Sequence, residues 1–154
     1  MPQTGNLRLV FKGISHTGLI YLDGEYIGRH YNAYTPFSLV VPKVSMGAHR
    51  IEVIVDNRWT EESQLHIPND YYTYGGITRS VYQELVPDCF IERMAFEPCF
   101  ADGQWFAKVR IVVRNISNED VSVQLEASCA GETEAMSLVA SANAAEAAST
   151  IFIM

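Results

Sequence analysis

Between Pro68 and Val81 the sequence reads Pro-Asn-Asp-Tyr-Tyr-Thr-Tyr-Gly-Gly-Ile-Thr-Arg-Ser-Val, placing a carboxylate, three tyrosines, a glycine pair and an arginine in one short segment. The segment is too irregular to be a helix. The two glycines permit a positive φ or a close backbone approach, and Ile77, Arg79 and Val81 then alternate as a strand does. A shaped loop entering a strand is how all-β scaffolds present binding groups. Asp70 can accept hydrogen bonds from two hydroxyls of a ligand or help hold a cation. Following Asn69, it can equally fix a turn in its own backbone. Tyr71, Tyr72 and Tyr74, with Trp59 upstream, offer flat faces to a ligand with an apolar side, or pack the loop onto its neighbours. Arg79 suits a fixed pairing with a loop carboxylate, Asp56 or Asp70; the alternative is a strand arginine in solvent. Asp56, Asn57 and Arg58 before the loop, with Gly75 and Gly76 after it, complete the residues expected to shape it.

Other combinations carry less. Glu61 and Glu62 are adjacent carboxylates, which point apart in extended backbone and read as a solvated pair. His16, His30, His49 and His66 are scattered without the spacing of a metal site, so no metal ligand is expected. Neither a serine–histidine–aspartate spacing nor a phosphate-cradling glycine loop is present.

The elements that position the loop have period two almost throughout. Leu7 to Ile14 alternates its apolar residues as a half-buried strand would. Leu19 to Leu22 and Tyr26 to Gly28 flank Asp23-Gly24, a tight-hairpin signal. Phe37 to Val41 runs between Pro36 and Pro42, and His49 to Val55 alternates again after a turn at Met46-Gly47. Val86-Pro87-Asp88 reads as a boundary. Beyond it lie Phe90 to Phe96, a turn at Ala101-Asp102-Gly103, Trp105 to Val113, a turn cluster at 115–120 and Val121 to Ala127. Short strands with regular turn signals predict a β-sandwich. The alanine-rich stretch from Ala140 to Ser149 is helical on propensity alone. Lying between the strand-like Ser137–Val139 and Thr150–Ile153, it is expected instead to join them loosely as a hairpin.

With 154 residues, 48% of them hydrophobic and 19% charged, the chain can bury a real core. A net charge of −7 without any basic stripe argues against a nucleic-acid partner, and no apolar run is long enough for a membrane span. Cys89, Cys99 and Cys129 have no metal spacing and read as reduced thiols. The N-terminus lacks a signal-peptide pattern, so a cytoplasmic location is expected. Asn115-Ile116-Ser117 matches a glycosylation acceptor pattern that such a setting leaves unused.

Phe11-Lys12-Gly13-Ile14, then Ile20 to His30, Tyr34-Thr35-Pro36-Phe37, Val53 to Arg58 and Gly75 to Val81 follow one another in this order. These phrases resemble glycoside hydrolase family 2, which contains β-galactosidases, β-glucuronidases and β-mannosidases. Together they resemble the second half of that family's N-terminal jelly-roll "sugar-binding" domain. Cys89 to Met94 and Ala107 to Asn115 resemble strands of the immunoglobulin-like sandwich that follows it. The resemblance implies an all-β chain with a partial jelly roll over 1–86 and an immunoglobulin-like sandwich over 87–154. It implies a fragment, since the family's first jelly-roll strands and its (β/α)₈ barrel, with both catalytic glutamates, have no counterpart here. The expected role is a non-catalytic accessory region, inactive alone, in a parent that hydrolyses β-galactosides or β-glucuronides with retention. Asp70, Tyr71, Tyr72 and Tyr74 would then sit at the rim of the parent's pocket. The expected partners are the parent's barrel, its carbohydrate and another copy met through open sheet edges, with no cofactor. A stand-alone carbohydrate-binding module and a ligand-free structural sandwich are the alternatives.

Overall fold

The alternating segments all become strands, and no helix forms among the described residues of the computed structural model. Those are residues 1–58, 74–129, 131–144 and 147–153, the last segment by its backbone. The chain divides into two units, Met1–Val86 and Pro87–Met154.

The first unit, a partial jelly-roll sandwich, holds β1 (Gly5–Phe11), β2 (Ile14–Ser15), β3 (Thr17–Leu22), β4 (Glu25–Tyr31), β5 (Phe37–Val44), β6 (Ile51–Asp56), β7 (Gly76–Ile77) and β8 (Val81–Val86). One antiparallel sheet runs β5-β1-β8 and a second runs β4-β3-β6, with β2 and β7 as a separate pair. Because successive side chains point to opposite faces, Leu7, Leu9 and Phe11 of β1 share a face. They form one core with Ile14, Ile20, Leu22 and Val44. The sheets approach closely at Gly28, where a Cβ would come within 2.5 Å of Leu39 Cδ2. Asp23 and Gly24 both take positive φ, 51° and 89°, the geometry whose twist matches a two-residue hairpin.

The strand expected to stop before Pro42 continues through it to Val44. It can do so because β5 is an edge strand, where a missing N–H breaks no ladder. A register shift between Gly5 and Leu7 absorbs the irregularity. Asn6, buried there, accepts from the Lys43 amide at 3.1 Å and donates to the Val86 carbonyl at 3.2 Å.

The second unit, an immunoglobulin-like sandwich, holds β9 (Cys89–Ala101), β10 (Gln104–Asn115), β11 (Val121–Cys129), β12 (Glu132–Ala140) and β13 (Ala147–Ile153). Its sheets are β13-β10-β9 and the hairpin β11-β12. Ala107, Val109, Ile111 and Val113 meet Leu125 and Ala140 in its core. The expected hairpin at the tail does not form: β13 pairs with β10, not with β12. After Ala140 the chain turns at Ser141–Ala144, with Asn143 at φ 52°, and crosses to the other sheet. The three cysteines are unpaired.

Candidate functional site

β2 brings the two stems of the 59–73 segment to the same end of the first sandwich. On one side Ile14 and Ser15 pair with Ile77 and Gly76, and the Gly13 carbonyl accepts from the Thr78 amide at 3.1 Å. On the other, the His16 amide donates to the Asp56 carbonyl at 3.4 Å, and the His16 carbonyl accepts from the Asn32 amide at 3.2 Å. The stems also touch directly: a Cβ built on Gly75 would lie 2.7 Å from Asn57 Cγ. Gly76 has φ 126°, a conformation that side chains disfavour.

Asp56 and Arg58 form a fork. Arg58 donates from Nη2 to Asp56 Oδ2 at 2.6 Å, and from Nε and the backbone amide to Oδ1, each at 3.0 Å. Those side-chain and backbone hydrogen bonds hold the Asp56 carboxyl at about 2, below its ordinary 3.8. Arg58 is 81% exposed, so the pair shapes the stem more than it stabilises the fold.

The expected pairing of Arg79 with Asp56 does not form, because Arg58 occupies that carboxylate. Arg79 runs its Cδ past Gly13 instead, 3.2 Å from where a Cβ would stand. Its Nη1 donates to the Tyr34 carbonyl at 3.1 Å, with the guanidinium 6.0 Å from the centroid of the Tyr34 ring. Tyr74 is 73% exposed. Asp70, Tyr71 and Tyr72 lie outside the described residues, as do Trp59, Glu61, Glu62 and His66.

The anchors on the wall formed by Asn32 to Phe37 carried little chemical signal in the sequence. Asn32 Oδ1 caps the turn by accepting from the Tyr34 amide at 3.0 Å. His30 Nε2 meets Thr35 Oγ1 at 3.0 Å, and its ring stacks on Phe37 at 4.0 Å. Phe37 stacks in turn on the buried Phe11 at 5.0 Å, tying this wall to the core. Burial pushes His30 below its ordinary value, which favours the neutral ring. An asparagine two residues before Tyr34 was the one available cue to the cap.

Among these described groups, Asp56 is ionised and engaged by Arg58, and His30 is engaged by Thr35. The arrangement holds the two stems in place; it does not assemble an acid and a base.

Residues 2–87 match the model of the glycosyl hydrolases family 2 sugar-binding domain. The β-galactosidase of Thermoanaerobacterium thermosulfurigenes is 36% identical over 93 residues, covering 56% of this chain and 13% of that protein. The structure of a family 2 β-galacturonidase from Eisenbergiella tayi superposes on 100% of this chain with a TM-score of 0.89 and 35% identity, over 28% of its own length. A β-glucuronidase from Bacteroides uniformis shares the fold, with a TM-score of 0.78 at 20% identity over 99% of this chain and 20% of that one. The chain thus spans a small part of each of these relatives. With more than half of its length matched by the family model, it belongs to glycosyl hydrolase family 2.

Proposed function

We propose that this chain is the non-catalytic accessory region of a retaining β-glycosidase whose substrates are β-galactosides or β-uronides. In that reading it buttresses the catalytic barrel, and the segment between its pinned stems contributes Asp70 and the tyrosines to the pocket rim. The pinned stems carry the reading: the contacts of Asn57 with Gly75, of β2 with one flank and of His16 with the other lie inside the portion matched by the sugar-binding-domain model. The names of galactosidase, galacturonidase and glucuronidase relatives support that sugar class. Contact with other chains through open sheet edges belongs to the same proposal. So does a cytoplasmic setting, which three unpaired cysteines fit.

A chimera tests it. The Eisenbergiella tayi β-galacturonidase would receive this sequence in place of its own corresponding region. Hydrolysis of a galacturonide should persist, and Asp70→Asn in the chimera should lower kcat/KM by at least about tenfold, as losing one charge-assisted hydrogen bond does. Its melting temperature should not move. An active chimera indifferent to Asp70→Asn would remove the loop from the rim. Tight sugar binding by the isolated chain would make it a stand-alone module instead.

A further inference from the structure

Two hairpins of this chain turn on the same dipeptide. Asp23-Gly24 joins β3 to β4, and Asp102-Gly103 joins β9 to β10; these are the two Asp-Gly pairs of the sequence. Their backbones match. Asp23 and Gly24 take φ 51° and 89°, Asp102 and Gly103 φ 52° and 79°, the paired positive values of a two-residue turn. Leu22 faces Glu25 across one turn, and Ala101 faces Gln104 across the other. Both glycines stand in open space, where an added Cβ would meet nothing within 4 Å. A glycine nitrogen is the least hindered amide that can attack the carboxyl of a preceding aspartate, so both turns hold the same latent reaction.

The two carboxyls are held differently. Asp23 Oδ1 accepts from the Arg50 amide at 2.8 Å, and Oδ2 lies 2.6 Å from His49 Nδ1. The Asp23 amide in turn donates to the Arg50 carbonyl at 2.8 Å. Swinging Cγ onto the Gly24 nitrogen would break both carboxylate contacts. The Arg50 amide first, and His49 next, also hold this carboxyl below its ordinary 3.8, so less of it carries the proton that a departing water needs. Asp102 is exposed, and among the described residues no hydrogen bond or ion pair restrains its carboxyl. That group can rotate onto the Gly103 nitrogen.

We propose that Asp102-Gly103 is a site of spontaneous isoaspartate formation, and that Asp23-Gly24, in the same turn geometry, is protected from it. The Gly103 nitrogen attacks Asp102 Cγ. A C–N bond forms, and the carboxyl hydroxyl leaves as water with the amide proton, closing a succinimide. Solvent water then opens the ring. Addition at the former main-chain carbonyl routes the chain through Cγ and frees an α-carboxylate; addition at the other carbonyl restores aspartate. One water leaves and one enters, so mass and charge are unchanged. The isoaspartate adds a backbone carbon to a turn whose two-residue length matches the strand twist, and so loosens the end of the β9-β10 ladder. The assignment stands whether or not the glycosidase reading does.

The test is to hold the 154-residue chain for weeks at about pH 6, where roughly one free aspartate in a hundred is protonated. Isoaspartate is then located by peptide mapping with electron-transfer fragmentation. It should accumulate at residue 102 at least about tenfold faster than at residue 23, the least that giving up a charge-assisted hydrogen bond costs. In denaturing urea the two rates should converge. His49→Ala should speed the reaction at Asp23 and leave that at Asp102 unchanged. Equal rates in the folded chain would overturn the proposal, as would a folded chain that forms no isoaspartate at residue 102. A difference that persists undiminished in urea would overturn it too, because local sequence and not the fold would then set the rates. An Asp23 rate unmoved by His49→Ala would remove the protection.

Discussion

Replacing Asn115 by aspartate should make the second unit's stability strongly dependent on pH. Asn115 is 1% exposed. Its Nδ2 donates to the carbonyls of Glu119 at 2.8 Å, Ala140 at 2.9 Å and Ser141 at 3.2 Å. Its Oδ1 accepts from the Ser117 amide at 3.0 Å and hydroxyl at 2.8 Å. One side chain therefore ties the 115–120 turn to the end of β12, and its burial leaves the amide of the glycosylation-like triplet inaccessible. Asn115→Asp keeps the shape but turns an ionised oxygen toward three carbonyl oxygens. An uncompensated buried charge costs about 3–5 kcal/mol, against a total of roughly 3–10 kcal/mol for a unit of this size. The new carboxyl would be forced above its unfolded value near 3.9. The folded state then binds the proton more tightly, so the penalty is absent below about pH 4 and grows as pH rises through the folded value. Thermal melts from about pH 4 to about pH 8 would read this. The second unit should approach wild-type stability at the acid end and be largely unfolded at neutral pH. Asn115→Ala should instead lose about 2–4 kcal/mol at every pH, through carbonyls left unsatisfied. A wild-type melting temperature for Asn115→Asp at neutral pH would refute the reasoning.

Two further outcomes follow from the first unit. His49 has Nδ1 2.6 Å from Asp23 Oδ2 and Nε2 2.8 Å from the Ser45 carbonyl, so both nitrogens face acceptors, which favours the protonated ring. The Asp23 hydrogen bond and then the Ser45 carbonyl raise His49, against desolvation and, least of all, the Met1 ammonium. Asp23 is lowered first by the Arg50 amide and then by His49. The His49 contribution is therefore present below pH 6.5 and lost as pH rises through the folded value, while that of Asp23 is present above 3.8 and lost on acidification. His49→Gln should flatten the alkaline step in urea midpoints and leave the acid step in place. Gly75→Val should force Asn57 aside at a cost of about 1–3 kcal/mol. Hydrogen exchange should speed up at the amides of Gly76 to Arg79 and stay unchanged in the second unit.

Much of this molecule is local and could be read from its sequence. Asp23-Gly24 and Asp102-Gly103 announce hairpins because the conformation they need, positive φ at both residues, is one these residues adopt at low cost. The alternation in β1, β3 and β10 assigns faces because a strand has no other period. What lay beyond the sequence was partnership. Nothing in Ala147–Ile153 says that it pairs with β10 and not with β12, and nothing around Arg79 says that Arg58 has already taken Asp56. Pro42 looks like a stop until β5 proves to be an edge strand. Phe96 and Val109 carry the same inward signal, yet one is bare and the other buried. Alternation determines which way a side chain points. Whether anything lies opposite it depends on how many strands the facing sheet contains, which is a property of chain segments far apart in sequence that only the tertiary structure brings together.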